Sequence, residues 1–449
     1  MTGAAVIAPL LCALLASLVA LAPPAAAQSA PGAPATQGSP GAGGDAPLHE
    51  AHRVVRDEQG AVLDEQGFVR ATPGRPLVLP ADHGSHPETR TEWWYLTGEL
   101  HAGSAPAADG GVAGGGGVHD ADFGFQATWF RRALVAELPA GRSPLAARDV
   151  MLFHGALSDI ANGALSFHEQ SCRAYGPWAH AAAGTLDVTL LGNSLRTLGA
   201  SAPLRGADAP PGAGTTHLHC RVGDGELDAV LDLAACAPLL HGREPGLSLK
   251  GELPGQASWY YSLPRVALHG TLRRPGREDL AVAGRAWFDH EFGSSQLAPE
   301  QAGWDWFSVA LDDGSDLMLY RMRLAGGGTG AASSGTFRTG AEPDAGADPR
   351  GGGRHLSHEE FSFEETASWT SPRTGARYPS GWNLSVPGEQ LLLHVQPVLA
   401  DQELVTPGST GVTYWEGLCR FTGTRAGRPV RGEGYVELVG YAARFRERL

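Results

Sequence analysis

Asp289, His290 and Glu291 stand consecutively near the end of the apolar run that begins at Gly284, between the aromatics Trp287-Phe288 and Phe292, and Gly293 closes the run. Three adjacent ionisable groups in an apolar setting suit acid/base chemistry. Successive side chains of a strand point to opposite faces. His290 therefore shares a face with Phe288 and Ala286, whereas Asp289 and Glu291 share the other with Trp287, and at most one of the two sets can look into a pocket. A charged turn at a strand end is the bland alternative.

The elements that must position these groups read as strands. Short alternating segments bounded by Gly, Pro, Asn or Asp recur along the chain, among them Glu92 to Leu100, Asp122 to Phe130, Val150 to Ser158, Arg265 to Leu272, Leu280 to Phe288, Trp304 to Leu311, Asp316 to Arg323 and Gly434 to Tyr441. Amphipathic helices are scarce, so the pattern predicts an all-β protein of antiparallel barrels or sandwiches. Asp313-Gly314 is a hairpin turn signal. A two- or four-residue loop there sets Phe307 opposite Tyr320 and Asp305 opposite Met322, which brings Asp305 and Tyr320 to one face and pairs Trp306 with Arg321; a three-residue bulged loop breaks that register.

Composition narrows the partners. A chain of 449 residues, 42% hydrophobic and 18% charged, is long enough for two domains. A net charge of −14 with no basic stripe argues against nucleic acid and anionic membranes as partners. Ala4 to Ala22 is one apolar run followed by Ala25-Ala26-Ala27, the pattern of a secretory signal with cleavage expected after Ala27 and no stable membrane span after its removal, although Met1-Thr2-Gly3 lacks the usual Lys or Arg. An uncleaved anchor helix is the competing reading. A periplasmic or secreted location follows from the first reading, and residues 28–74 are expected to be a disordered tether and lead-in. The Gly- and Ala-rich stretches Ala102 to Gly117 and Ala325 to Gly353 read as mobile loops. Cys172, Cys220, Cys236 and Cys419 permit two disulfides in an oxidising compartment, with the pairing open.

Other reactive patterns are weak. There is no Gly-x-Ser-x-Gly elbow, the run Gly114 to Gly117 is not followed by the Lys-Ser or Lys-Thr of a phosphate loop, and neither His217/His219 nor His83/His86 has the helical spacing of a zinc hydrolase. No cofactor and no metal are expected. Trp and Tyr cluster beside acids instead: Glu92-Trp93-Trp94-Tyr95, Trp259-Tyr260-Tyr261, Trp304 and Trp306, Tyr378 and Trp382, and Tyr414-Trp415-Glu416. Large aromatics often only fill a core. Several beside acids fit a pocket for an apolar small molecule. Glu92, Glu416 and Glu437 are either pocket acids or partners of arginines such as Arg285 and Arg321.

The blocks His86 to Gly98, Arg285 to Gly293, Tyr378 to Trp382, Tyr414 to Gly417 and Gly434 to Glu437 resemble the signature blocks of the AttH/CrtC family, which includes carotenoid 1,2-hydratases, kievitone-hydratase-like proteins and predicted secreted hydrolases. The resemblance spans residues 75 to 449. It implies two lipocalin-like antiparallel β-barrels packed together, with a ligand pocket near where they meet, and the domains are expected at 75–283 and 284–449. Hydratase members place an Asp-His pair after the strand, which Asp289 and His290 match, and a tyrosine on a following strand, which Tyr320 matches. They also carry an aromatic just after the pair, which Phe292 matches, and an acid near the tyrosine, where Met322 departs from the pattern and Asp305 is offered as the substitute.

The implied activity is a cofactor-independent hydro-lyase acting on an isoprenoid-like substrate. Asp289 would be the proton donor or the orienter of His290, His290 its acid/base partner, and Tyr320 a donor or cation stabiliser. The ligand would be held by Glu92, Trp93, Trp94, Tyr95, Trp287, Trp304, Trp306, Tyr378, Trp382, Trp415 and Glu416. A lipocalin-like carrier of lipid or pigment and a secreted hydrolase are the rival readings.

Overall fold

The computed structural model describes residues 55–58, 60–103, 121–143, 146–197, 215–253, 255–294, 297–340 and 353–445. The expected signal segment, the tether up to residue 54 and most of the first Gly-rich stretch lie outside these residues. Among the described residues the only helices are two single 3₁₀ turns, Ala81–His83 and Pro387–Glu389.

Two antiparallel sheets make up the fold. The first runs from the edge strand Ala164–Arg173 through Asp149–Asp159, Phe123–Ala133, Thr91–Ala102, Leu280–Gly293, Ala257–Arg273, Gly225–Asp232 and Thr216–Val222 to Asn193–Thr197, Asp187–Leu190 and Ala179–Ala181. It curls into a nearly closed barrel: Gly223 donates its N–H to the Gly155 carbonyl, and Asn193 joins the two ends by bonding Gln170 and the Arg221 amide. Inward residues fill that barrel, with Trp94, Trp129, Phe125, Phe153 and Phe288 buried at its centre. The second sheet is a half-barrel in the order Gly353–Ser357, Ser334–Arg338, Asp316–Leu324, Gln301–Leu311, Arg428–Val439, Thr413–Arg425, Leu391–Pro397, Arg377–Val386 and Ser362–Thr370.

The structure corrects several expectations. Leu280–Gly293 is a central strand of the first sheet, between Thr91–Ala102 and Ala257–Arg273, so the division between sheets falls between Gly293 and Gln301 rather than before Gly284. The cause is its inward face, Val282, Ala286 and Phe288, which packs into the first core. The described part of the lead-in is structured: Val55–Arg56 pairs with Val62–Leu63, and Phe68 is buried under the Arg90 guanidinium. The second Gly-rich stretch contains the strand Ser334–Arg338, paired to Asp316–Leu324. Against the expected disulfides, Cys220, Cys236 and Cys419 are free thiols, with Cys220 in the first core and Cys419 in the second.

The hairpin register is also displaced by one residue. Leu311 and Ser315 flank a three-residue loop in which Gly314 takes φ +86 and donates to the Leu311 carbonyl, a bulged turn that only a residue without Cβ adopts freely. Trp306 then stands opposite Tyr320 and Asp305 opposite Arg321. A one-residue slip moves every side chain to the other face. The turn itself is docked on the first sheet: a bulge between Leu263 and Val266 aims Arg265 at the Asp316 carboxylate (2.7 Å) and at the Leu311 and Ser315 carbonyls. That anchor places the Tyr320 strand against the outer face of the barrel.

Candidate functional site

The strand Leu280–Gly293 presents two different chemistries on its two faces. Inward, His290 is fully buried; its Nδ1 lies 2.8 Å from the Asp82 carbonyl and its Nε2 3.1 Å from Glu92, and its ring stacks on Trp94. Glu92 also accepts from Arg131 Nε at 2.9 Å and pairs with His86 Nδ1 at 2.8 Å, while His86 Nε2 reaches Asp82 at 2.9 Å. Burial alone raises a carboxyl, but the His290 and His86 hydrogen bonds and the Arg131 charge hold Glu92 well below the usual range. Burial lowers His290 against the pull of Glu92. The ligand atoms of His86, Glu92 and His290 lie within 4.8 Å of one another, the spacing of a metal site, and both nitrogens of each imidazole already have an oxygen partner.

Outward, Asp289 and Glu291 face the second sheet across a cavity of ≈ 300 Å³. The cross-strand neighbour Ala257–Arg273 contributes Ser258, Tyr260 and Ser262 on that same face, because Ser262 pairs with Asp289 and Tyr260 with Glu291. Asp289 accepts from the Tyr260 hydroxyl at 2.5 Å, from Trp287 Nε1 at 2.6 Å and from the Ser262 hydroxyl. The Tyr260 oxygen in turn accepts from Trp306 Nε1 at 3.0 Å. Burial pushes Asp289 up to about 7, with Glu291 adding to the rise and the three donors opposing it. Glu291 is answered by Lys250 at 2.8 Å and by the Ser258 hydroxyl at 2.5 Å, and the Lys250 ammonium lies over the rings of Tyr320 and Tyr260. Burial would lower Lys250, but Glu291 and Tyr320 raise it, so it stays an ammonium.

The opposite wall comes from the half-barrel: Trp304, Trp306, Tyr320, Met322, Tyr414, Glu416 and Glu437 all line the cavity. Glu416 and Glu437 are register partners on adjacent strands and share a face. Glu437 accepts from Trp304 Nε1 at 3.0 Å, and burial pushes it up to about 7, helped by Asp289 and Glu291. Burial and then the neighbouring Glu437 raise Glu416 well above the usual carboxyl range. His154, bonded through Nδ1 to the Tyr414 hydroxyl at 2.7 Å and through Nε2 to Ser409 at 2.8 Å, is lowered to about 3 by burial and is neutral.

Of the residues singled out in the sequence, Asp289, Tyr320, Trp93, Tyr95, Trp304, Trp306 and Glu416 line this cavity. Trp287 does not line it, but its indole N–H holds Asp289. The rest lie elsewhere. His290, Glu92 and Trp94 point into the barrel, since alternation sends even-numbered residues of these two strands inward. Asp305, brought by the bulged turn to the far face, is locked between Arg321 and Arg323 and is no substitute acid. Tyr378, Trp382 and Trp415 fill the core of the half-barrel, with the Tyr378 hydroxyl on Glu403 and the Trp415 indole on the Ala400 carbonyl. The Tyr320 hydroxyl is engaged by Ser248 (3.0 Å) and donates to the Leu249 carbonyl (2.9 Å).

Lys250, Tyr260 and His154 were not read as site residues. Tyr260 had a signal: it alternates with Ser258 and Ser262 in a strand adjacent to an acidic one. Lys250 and His154 had none, because each is brought to the cavity from a separate part of the chain by the curl of the first sheet.

A family model described as AttH-like matches residues 70–441. No curated protein matches the chain. Among solved structures, an AttH protein from Nitrosomonas europaea is 32% identical, covering 83% of this chain and 100% of its own with a TM-score of 0.66. Kievitone hydratase from Nectria haematococca is 16% identical, covering 85% of this chain and 98% of its own with a TM-score of 0.55, a likeness of fold. With a nearly closed barrel, a half-barrel docked on its outer face and a family match over most of its length, this chain belongs to the AttH-like family.

Proposed function

We propose that the chain is a cofactor-independent hydratase or hydro-lyase acting on an apolar, isoprenoid-like small molecule held in the cavity between the sheets. One observation carries the reading: Asp289 on the barrel wall and Glu437 on the half-barrel wall face one aromatic-lined cavity, and both titrate at about 7. Near neutral pH such a pair supplies one carboxylic acid and one carboxylate, the two species that addition of water to an alkene requires.

In the proposed step the short bond reverses: the Tyr260 hydroxyl gives its proton to one alkene carbon as the neutral Asp289 carboxyl passes its own to the Tyr260 oxygen, and the π electrons form the new C–H bond. The electron-deficient carbon left behind faces Trp306, Trp93 and Tyr260, whose ring faces favour positive charge. Water attacks that carbon as Glu437 takes its proton, and proton exchange between the two carboxyls restores the site. Trp287 and Ser262 orient Asp289, and Lys250 pairs with Glu291 beside it. Kievitone hydratase, a structural relative, is named for the same class of reaction.

The rival carrier reading has the same aromatics line the cavity without turnover, and it is favoured by the position of His290, which faces the barrel core while Asp289 and Tyr320 line the cavity. Export is part of the proposal and rests on the apolar run Ala4 to Ala22 with Ala25-Ala26-Ala27 behind it. Native mass spectrometry of the protein after incubation with its host's lipid and pigment extract tests the function. A captured ligand that emerges heavier by one water, only while Asp289 is intact, is the expected result; a ligand released unchanged by the wild type overturns hydration.

A further inference from the structure

The cavity wall holds a cluster of polar atoms without fully formed hydrogen bonds, and they are nearly all acceptors. Glu416 is 3% exposed, and among the described residues its carboxyl meets no donor besides the Tyr95 hydroxyl, which lies beside it without a fully formed hydrogen bond. The hydroxyl of Tyr95, whose ring lies in the same cavity, is turned to that carboxyl and to Thr97 without closing a full hydrogen bond to either, and Oε1 of Gln126, whose amide nitrogen is spent on Thr128 and Tyr414, has no partner. Tyr414 is two residues from Glu416 on the same strand and therefore on the same face. Leaving such atoms unpaired in a buried site costs about 1 to 3 kcal/mol each. Such groups call for a partner, supplied by water or by a ligand.

Charge, beside donor and acceptor count, decides the ligand's chemistry. The groups on offer are the Glu416 carboxyl, the Gln126 oxygen and the Tyr95 hydroxyl. An alcohol can be met by Tyr95 or by a protonated Glu416, but it brings no charge to answer the two glutamates. A protonated amine brings donors alone. Charge points the same way. Of the other ionisable groups on this cavity, Lys250 is paired with Glu291, Arg131 with Glu92 and Asp149, and Arg132 bonds Thr91, which leaves Glu416 and its neighbour Glu437 side by side with no cation. Tyr95, Tyr414 and Trp304 supply ring faces that favour a cation nearby.

We infer that Glu416, with Tyr95 and Gln126, forms a subsite for the protonated amine end of an otherwise apolar ligand. The inference names the substrate class of the proposed site and rests on the cavity being the ligand site, but not on the reaction that follows, so binding tests it independently of turnover. Burial and then the neighbouring Glu437 raise Glu416, and an ammonium ion beside it favours the carboxylate, so amine binding is expected to draw a proton off to solvent.

Isothermal titration of the purified full chain with octylamine, 1-octanol and octanoate, three probes of one chain length, tests this. Octylamine is expected to bind at least about tenfold more tightly than either other probe, a difference of about 1.4 kcal/mol. Its enthalpy should vary with the ionisation enthalpy of the buffer, in the direction of proton release, and the enthalpy of octanol should not. Glu416→Gln should bring the three affinities together and abolish proton release, and Tyr95→Phe should weaken octylamine more than octanol. Equal binding of octanol and octylamine by the wild type, or selectivity that survives Glu416→Gln, overturns the subsite while leaving the hydration proposal to its own assay.

Discussion

Glu92 and Glu416 are both glutamates withdrawn from water, in strands on either side of the contact between sheets, yet they titrate in opposite directions. Glu92 sits among Arg131, His86 and His290, so its charge is answered several times over. Glu416 has a second glutamate beside it and no cation. Burial is similar in the two places, and the partners decide the outcome. The barrel interior uses its charges to tie the lead-in around His86 onto the strands, whereas the cavity leaves its carboxyls uncompensated and therefore able to exchange protons near neutrality. The difference marks which charged cluster is structural and which is chemical.

Asp289→Asn gives the sharpest test of that division. It keeps the shape and most hydrogen bonds of the site but removes the acid, and turnover is expected to fall by about 10² to 10⁴ with ligand affinity within about threefold. Single-turnover assays beside equilibrium titration separate the two effects. Because the acid must be protonated, the wild-type rate should also decline as pH rises above about 7.

The interior cluster should respond in stability instead. Arg131→Met strands Glu92 in the barrel and is expected to cost about 3 to 5 kcal/mol, read as a lower denaturant midpoint. Binding by any protein that remains folded should be unchanged.

Stability against pH separates the clusters by sign. Glu92 is held below its unfolded value, so its contribution is present above that value, near 4.5, and is lost as pH falls through the lower folded one. Asp289 and Glu437 are raised from 3.8 and 4.5 to about 7, so their contribution is full below the unfolded values and is lost as pH rises to about 7. Denaturation midpoints should therefore fall across that window, and Asp289→Asn should flatten the fall while leaving the acid limb in place. A wild-type midpoint that rises steadily from pH 4 to 7 would break the assignment.

Tyr320→Phe should have the smallest effect. Its hydroxyl is committed to Ser248 and the Leu249 carbonyl, so its loss is expected to cost about 1 kcal/mol and to change turnover by less than about threefold. A loss of several hundredfold would return Tyr320 to the chemistry.

Much of this was legible in the chain itself. Alternation in Leu280–Gly293 separates Asp289 and Glu291 from His290, and the same rule separates Trp93 and Tyr95 from Glu92 and Trp94, because strand geometry sets the face of a side chain locally. The antiparallel architecture followed from turn residues between short alternating runs, and the family from the Glu92-Trp93-Trp94-Tyr95 block and its companions. The hairpin register was not legible, since Asp313-Gly314 is compatible with loops of different length and one residue decides whether Asp305 or Trp306 faces the cavity.

What only the tertiary structure decided is the company each group keeps. Glu92, Glu416 and Glu437 look alike in sequence, each beside an aromatic. The curl of the barrel brings Arg131 and His86 to the first, and docking of the half-barrel brings the other two to a common cavity whose cations are paired with other groups. Charge compensation is a matter of distances of a few ångströms between residues far apart in the chain, and no local pattern encodes it.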